Sequence, residues 1–271
     1  FSSARGRWRP PPLSSSAKPA ACWNIDLTEC RINDITINTV KKGISAMNRM
    51  LLGTLFAGVS LLASSVTVDV GRGGAGRDVV KASDFGWNST DATKCLQSAF
   101  DSGAKKVVVD KQAGEWLVET VYPRSNTEIV FADGVVVRAR PGSMKKNTDS
   151  LVRFQRVTNV IFRGEGNVTL LMNRADYLDP AKYQHGEHRH LLSIKRSVNL
   201  TIRDLTVAES GGDGLYVLGV ENGLVENVTS VRNARQGMSI INANGLTVRN
   251  CRFNDTKGAA PECGIDFEPG H

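Results

Sequence analysis

The most regular feature of the sequence is a hydrophobic pattern that repeats between residues 190 and 268. Asp204, Asn227 and Asn250 stand 23 residues apart, and each follows a run in which apolar and polar residues alternate. A second apolar strand recurs with the same period at residues 192–194, 215–217, 238–240 and, after four extra residues, 265–267. Such a period, with short strands and Gly/Asn turns, is typical of a solenoid. Because helical periodicity is weak, the pattern predicts a parallel β-helix, with a β-sandwich or propeller as the alternative.

The period also predicts which residues stack on one another. Each coil leaves a row of unpaired backbone groups that only the next coil, about 4.8 Å away, can satisfy, so equivalent residues form columns. The corner column holds Asp204, Asn227 and Asn250, since Asn and Asp tolerate the left-handed backbone of such corners. Two inward apolar columns are expected to build the core: Leu192, Leu215, Met238 and Ile265, and then Ile194, Val217, Ile240 and Phe267.

The N-terminal 65 residues differ from the rest of the chain. Residues 47–65 have the pattern of a secretory signal peptide, because Arg49 precedes the apolar run 50–63 and small residues follow it. The run is shorter than the about 20 residues that span a bilayer, so we expect no permanent membrane anchor. We expect residues 1–46 to be a disordered, non-native or upstream leader. Residues 66–271 would then be the β-helix domain, a fragment truncated at its C-terminus.

The signal peptide predicts a secreted, periplasmic or cell-surface protein, and it changes how the charge is interpreted. The formal net charge of the whole chain is +7, but residues 1–65 contribute eight Lys/Arg and three Asp/Glu, which leaves +2 for residues 66–271. Nucleic-acid binding therefore loses the support that a high isoelectric point would give it. Cys95, Cys251 and Cys263 remain in that part without the spacing of a disulfide framework. We also expect the protein to be a monomer.

An amphipathic helix is predicted just before the first coil. Ser89 or Thr90 could cap it, and its apolar residues share one face: Ala92, Cys95, Leu96 and Ala99. We interpret this helix as an N-terminal cap, because it would cover the open edge of the first coil and prevent end-to-end association.

Several short motifs resemble one known group of proteins. Phe85-Gly86, Thr90-Asp91-x-Thr93, Leu96-Gln97 and the strand 107–109 are similar to the N-terminal segment of the pectin-lyase-like superfamily. Residues 211–214, 235–237 and 264–269 resemble its uncharacterised bacterial secreted members. The resemblance covers about residues 80–271 and implies a right-handed parallel β-helix, with polygalacturonase-type glycoside hydrolases and pectate lyases among the relatives. The polygalacturonase pattern of paired aspartates followed by Gly-His-Gly and Arg-Ile-Lys is absent, so the fold leaves the reaction open.

An insertion interrupts the repeat at residues 173–189. The strands 152–154 and 192–194 lie 40 residues apart instead of 23. Solenoid insertions commonly form loops on the binding face, and Tyr177 and Tyr183 are predicted to stack on sugar rings there. The spacing His185-x-x-His188-x-His190 could bind zinc, but it is loose, and we predict no metal.

The column alignment places polar side chains together at one face. His190, Asp213, Gln236 and Cys263 start the recurring strand, while the outward columns beside it hold Ser193, Tyr216, Ser239 and Asp266, and Lys195, Leu218, Ile241 and Glu268. The predicted catalytic residues are His190, Asp213, Asp266 and Glu268. The predicted substrate-binding residues are Arg235, Gln236, Tyr216, Tyr183 and Tyr177. Carboxyl groups about 5 to 10 Å apart on an open face suit the acid and base of glycoside hydrolysis.

Three functions remain open at this point. The near-neutral mature part favours a glycoside hydrolase that acts on an extended polysaccharide without a cofactor. A polysaccharide lyase would instead use an Arg or Lys base with Ca²⁺ held by acidic residues. A non-catalytic adhesin or surface module needs none of these groups, since Asp213 could shape a turn, Asp266 and Glu268 could be solvated, His190 could be structural, and Arg235 could pair with Glu262.

Overall fold

The computed structural model describes residues 21–22, 30–38 and 78–268. The strands in chain order are β1 Ala21–Cys22, β2 Cys30–Asn38, β3 Val79–Lys81, β4 Lys106–Val109, β5 Trp116–Val118, β6 Thr127–Phe131, β7 Val136–Ala139, β8 Val152–Gln155, β9 Thr158–Gly164, β10 Thr169–Leu171, β11 Leu192–Lys195, β12 Val198–Ala208, β13 Leu215–Val231, β14 Gln236–Asn254 and β15 Cys263–Phe267. The helices are the 3-10 turn Ala82–Phe85, α1 Thr93–Phe100 and α2 Arg174–Tyr177.

The strands stack as three parallel faces around one core. The first face consists of β8, β11, the starts of β13 and β14, and β15. The second face runs from β3 through β4, β6 and β9 to the start of β12 and the middles of β13 and β14. The third face contains β5, β7, β10 and the ends of β12, β13 and β14. This is the predicted β-helix.

The 23-residue register is confirmed along the first face. Leu192 is paired with Leu215, Leu215 with Met238, and Met238 with Ile265. All four side chains are buried in the core, as the inward columns predicted. The outward column differs at one place, because the β13–β14 register shifts and Leu218 lies opposite Asn242, not Ile241. One extra residue on β14 forms a bulge there, which periodicity alone does not reveal.

Polar ladders hold two of the corners. Asp204, Asn227 and Asn250 all have positive φ, and the Asn227 side-chain amide donates to Asp204 Oδ1 over 2.8 Å, which supports the predicted corner column. A second ladder escaped the sequence analysis: Asn159 donates to Asn126 over 2.9 Å and Asn199 to Asn159 over 2.8 Å, again from left-handed positions. The 23-residue register points to only part of it, since its first two steps are longer.

The capping helix α1 is present, with a different start from the one predicted. Its residues Cys95, Leu96 and Ala99 are buried, and so is Ala92 before it. Neither Ser89 nor Thr90 caps it. The side chain of Asp91 accepts the Thr93 N–H over 2.9 Å, while the Thr90 hydroxyl donates to Asn88 in the preceding turn.

The segment predicted to be a disordered leader contains a strand. β2 pairs antiparallel with β14, and Ile37 is buried against the core. β1 similarly pairs antiparallel with β15. The structure thus differs from the prediction for residues 30–38, because the outer edge of β14 offers unpaired backbone groups to any extended strand. The predicted signal peptide, residues 47–65, lies outside the described residues. No helix within the described ranges is long and apolar enough to cross a membrane.

Candidate active site

Two loops build a wall beside the first face. The inserted loop, residues 173–189, packs against residues 140–148 through the fully buried Arg189. Its guanidinium donates to the main-chain oxygens of Met144 over 3.0 Å and Gln184 over 2.7 Å. The inserted loop also passes close to Gly212, where a Cβ would collide with the main-chain oxygen of Glu187. The wall is therefore held by main-chain contacts and by one buried cation.

Tyr177 and Tyr183 lie inside this wall. They are 2% and 5% exposed, their rings pack edge to face with centroids 5.0 Å apart, and the Tyr183 hydroxyl donates to the Ser143 oxygen over 2.9 Å. Arg189 lies over both rings. The prediction that these tyrosines stack on sugar rings is wrong, because burying their large apolar rings stabilises the loop and leaves no ring face for a ligand.

A cavity of ≈ 320 Å³ opens between the wall and the outward side of β8 and β11. Its lining is polar and cationic: Thr148, Ser150, Arg153, Gln155, His188, His190, Ser193, Lys195 and Tyr216. Among the described residues, no carboxylate belongs to this lining. Burial, followed by the charges of Arg153 and Arg196, lowers the pKa of Lys195 below its usual value. The positive charges of the cavity therefore favour binding of a negatively charged group.

His190 stands between this cavity and a buried carboxyl group. Its Nδ1 accepts the main-chain N–H of Asp213 over 3.2 Å and lies 3.3 Å from Asp213 Oδ2. Its ring stacks on Tyr216, with centroids 4.5 Å apart and an interplanar angle of 12°. Burial, helped by the neighbouring His188 and Arg235, lowers the pKa of His190 well below its usual value. His190 is therefore neutral at neutral pH.

Asp213 was predicted to face an open groove. In the structure its side chain is fully buried. Ser239 Oγ donates to its Oδ2 over 2.6 Å, and Arg235 Nη1 lies 3.4 Å from its Oδ1. Burial raises the pKa of Asp213 to about 7, in spite of the opposing charge of Arg235. A carboxyl group of this kind holds its proton up to neutral pH.

Arg235 lies at the centre of an acidic cluster that consists of Asp213, Asp266 and Glu268. Its Nη2 donates to Glu268 over 2.7 Å and its Nη1 to Gln236 Oε1 over 2.7 Å, while its Nε lies 3.5 Å from a carboxylate oxygen of Glu187 in the inserted loop. Arg235 thus pairs with carboxylates, but not with Glu262, which accepts the main-chain N–H of Gly258. Its contacts with Asp213 and Glu268 join neighbouring coils.

The two remaining carboxyl groups share one amide. Gln236 Nε2 donates to Asp266 Oδ2 over 2.5 Å and to Glu268 Oε1 over 3.1 Å. Burial and the adjacent Glu268 raise the pKa of Asp266 to about 6. Burial acts in the same direction on Glu268, but hydrogen bonds from Arg235 and Gln236 outweigh it and hold the pKa of Glu268 below its usual value. The neighbours therefore differ in protonation at mildly acidic pH.

The structure brings most of the predicted residues to one face but changes their exposure. His190 and Tyr216 line the cavity, and Glu268 is partly exposed. Asp266 and Gln236 were predicted to face solvent, but both side chains are fully buried. Polar atoms of both are bound within the cluster, since Gln236 contacts both Arg235 and Asp266.

Sequence reasoning missed the cationic part of the site. Arg153 and Lys195 lie on the outward columns of β8 and β11, in register with Ser193 and with Gln155. Lys195 was already on a predicted outward column without an assigned role, and extending the columns back by one coil, across the insertion, would have found Arg153. Within the described ranges, no group of three His, Cys, Asp or Glu side chains is placed to hold a metal ion.

Comparison with known proteins supports the fold. Residues 153–271 match the family model described as a right handed beta helix region. No curated protein matches the chain. A crystal structure of a proposed glycosyl hydrolase from Parabacteroides merdae superposes with a TM-score of 0.52 at 17% identity, covering 70% of this chain and 96% of that one.

Two further solved structures are similar at lower scores. An iota-carrageenase from A. fortis gives a TM-score of 0.48 at 16% identity and covers 62% of this chain and 39% of its own. A galactohydrolase of a sulfated galactose polymer gives 0.47 at 15% identity, covering 62% and 42%. The coil register and the family match together show a right-handed parallel β-helix.

Proposed function

We propose that this protein is a carbohydrate-active enzyme that binds a polysaccharide across the first face and cleaves it there. The observation that carries the proposal is that the cavity and the acidic cluster occupy the outward side of the same parallel sheet. Lys195 on β11 and Glu268 after β15 are three coils apart, or about 14 Å at the spacing of stacked strands. An extended chain laid across the coils would meet both.

The charge of the cavity supports an acidic polysaccharide. Arg153 and Lys195 face into it, and its lining contains no carboxylate from the part of the chain that the structure describes. A guanidinium group matches carboxylate or sulfate oxygens with two parallel hydrogen bonds, and a partly enclosed ammonium group adds charge at short range. Sugar units with such substituents would therefore bind over β8 and β11.

Hydrolysis is the reaction that the acidic cluster favours. Asp266 retains its proton to about pH 6, whereas Glu268 ionises below its usual range. One protonated and one ionised carboxyl group are what a glycosidase uses as acid and as base or nucleophile. Since Asp266 is buried and Glu268 is partly exposed, the polysaccharide would meet Glu268 first, and Gln236, which is bound to Asp266, would have to move aside for Asp266 to act.

Elimination is the second candidate, because of Lys195. Its lowered pKa brings it closer to a free amine, and it lies in the cavity where an acidic sugar would bind. A lysine of this kind can remove a proton beside a carboxylate that Arg153 neutralises. The two reactions use different ends of the first face.

A panel of neutral and acidic polysaccharides, followed by mass spectrometry, tests the proposal. Saturated products indicate hydrolysis, and products with unsaturated ends indicate elimination. For hydrolysis, Glu268→Gln should reduce turnover by about 100-fold or more, while Lys195→Ala should do so for elimination. Glu221→Gln, on the exposed surface of the second face, is the matched control. Binding without turnover would support a non-catalytic surface module, and absence of both would contradict the proposal.

Export is part of the same proposal. Removal of residues 47–65 as a signal peptide would give a mature chain that begins near residue 66 and lacks β2. N-terminal sequencing of secreted protein tests this step. A secreted chain that still begins at Phe1 would contradict it.

A further inference from the structure

Asp213 is linked to the cavity only indirectly, through its contacts with His190. The Asp213 side chain is fully buried and is absent from the cavity lining, whereas His190 belongs to that lining and touches Asp213 at two points. We propose that Asp213 is a positioning residue that holds His190 as a neutral ring with its proton on Nε2, so that the cavity is offered an N–H donor. The use of this donor rests on the proposed function, but the protonation state is a property of the free protein.

The main-chain contact fixes which ring nitrogen carries the proton. The Asp213 N–H points at His190 Nδ1 over 3.2 Å, and a main-chain N–H can only donate. Nδ1 must therefore accept, and in a neutral imidazole the proton then resides on Nε2. The nitrogen that remains for a ligand in the cavity is thus a donor.

The carboxyl group completes this arrangement when it is protonated. Asp213 Oδ2 lies 3.3 Å from the same Nδ1, and a proton on that oxygen can be donated to the ring. An ionised Oδ2 would instead favour a proton on Nδ1, which would face the main-chain N–H of the same residue. Ser239 and Arg235 hold the carboxyl group in place from its other sides.

The surroundings oppose a charged ring. His188, Arg153, Lys195 and Arg235 are the cationic or basic groups around His190, while Tyr216 stacks on its face. Burial and these charges lower the pKa of His190, and burial raises that of Asp213 to about 7. Both shifts keep the one proton of the pair on Asp213.

The chemical consequence concerns the role of His190. A ring in this form offers a hydrogen bond from Nε2 to a sugar hydroxyl, ring oxygen or carboxylate in the cavity. It is not a general base at that nitrogen, because the lone pair there is already protonated. Asp213 acts only through the ring, since its own oxygens do not reach the cavity.

Nitrogen NMR of the full chain with ¹⁵N-labelled histidine tests the proposal without any substrate. The chain has 4 histidines, and the His190→Gln variant identifies the His190 signals by their loss. We expect one protonated and one unprotonated ring nitrogen, with the proton on Nε2, from about pH 5 to pH 7. A doubly protonated ring in this range, or a proton on Nδ1, would overturn the proposal.

Asp213→Asn separates positioning from a simple ion pair. The Asn amide can donate to Nδ1 as the protonated carboxyl does, so we expect the Nε2-protonated ring to persist. If Asp213 were an ionised partner of a charged His190, the wild-type protein would show the imidazolium signature and the Asn variant would lose it.

Once a polysaccharide is turned over, two amide variants test the donor. The Gln amide nitrogen reaches the position of Nε2, whereas the Asn amide nitrogen reaches only that of Nδ1. His190→Gln should therefore keep turnover within about tenfold, and His190→Asn should lose about 100-fold. Equal losses in both would show that Nε2–H has no role. Without a substrate, the NMR result alone decides whether Asp213 sets the form of the ring.

Discussion

The two halves of the first face handle charge in opposite ways. In the basic half, the outward side of β8 and β11, Arg153 and Lys195 face an open cavity, and within the described part of the chain Lys195 forms no salt bridge. In the acidic half, the side chains around Arg235, the charged groups pair mainly with one another, while Asp266 Oδ1 has no hydrogen-bond partner among the described residues. Arg235 contacts both Asp213 and Glu268, and its side chain is 15% exposed.

The difference follows from burial. In the basic half, the Arg153 side chain has, within the described residues, only a long contact to Asp149 at 3.9 Å and a hydrogen bond to the main-chain oxygen of Thr148, so the cations of the cavity stay available for a ligand. A charge beneath another coil loses its water and must be paired or protonated. The basic half is therefore suited to binding a ligand. In the acidic half, the carboxyl groups are held by their neighbours and become available only when a contact to Arg235 or Gln236 is broken.

The largest effect should come from removing Arg235. Arg235→Ala leaves the half-buried Glu268 without its cation and removes the contacts to Asp213 and Gln236, so we expect a loss towards the lower end of the about 3–5 kcal/mol of a broken buried pair. Urea unfolding should show this loss. Lys195→Ala in the basic half is the matched control, and it should change the free energy of unfolding by less than about 1 kcal/mol. Equal effects of the two variants would refute the contrast between the halves.

The pH dependence of stability should separate His190 from Asp213. In the unfolded chain between about pH 4 and 6.5, histidine carries a proton and aspartate does not. In the folded chain Asp213 carries it instead, because its pKa is about 7. The pair binds one proton in both states, so its net contribution to the pH dependence is small in this range.

Single variants should expose the two opposite slopes. In His190→Gln, Asp213 is protonated only in the folded state, so relative to wild type the free energy of unfolding should fall as pH rises from about 4 to 7. In Asp213→Asn, His190 is protonated only in the unfolded state, so this energy should fall as pH drops below about 6.5. Each slope should approach about 1.4 kcal/mol per pH unit. Slopes of the same sign would contradict the location of the proton.

A third prediction concerns binding in the basic half. Arg153→Ala and Lys195→Ala should each weaken binding of an acidic polysaccharide by about tenfold at low salt, and the loss should shrink as salt screens the charges. Binding of a neutral polysaccharide should not change. Calorimetric titration at two salt concentrations measures both, and equal losses for neutral and acidic polysaccharides would show that the cations do not select charge.

The sequence predicted the architecture well because stacking repeats the same physical demand in every coil. Inward apolar columns, the corner column of Asp204, Asn227 and Asn250, and the helix α1 all follow from that demand. A bulge such as the one at Leu218 and Asn242 breaks the demand locally, and periodicity cannot foresee it.

The site was predictable only as a neighbourhood. Alignment brought His190, Asp213 and Glu268 to one face, but it could not show that Asp213 is buried, since that depends on how Arg235 folds over it. The tyrosines of the inserted loop were misjudged for a similar reason. A loop sequence does not reveal that its rings pack against Arg189 and not against a ligand.

The smallest effect is expected at the junction between the two halves, where Glu187 of the inserted loop meets Arg235. The Glu187 carboxylate is 48% exposed and lies 3.5 Å from Arg235 Nε, so water screens the pair. Glu187→Gln should cost less than about 0.5 kcal/mol, whereas Glu268→Gln, which removes a less exposed partner bound at 2.7 Å, should cost more. Urea unfolding of the two variants at pH 7 gives the comparison. A larger loss for Glu187→Gln would mean that the loop, and not the coil below, holds Arg235 over the acidic half.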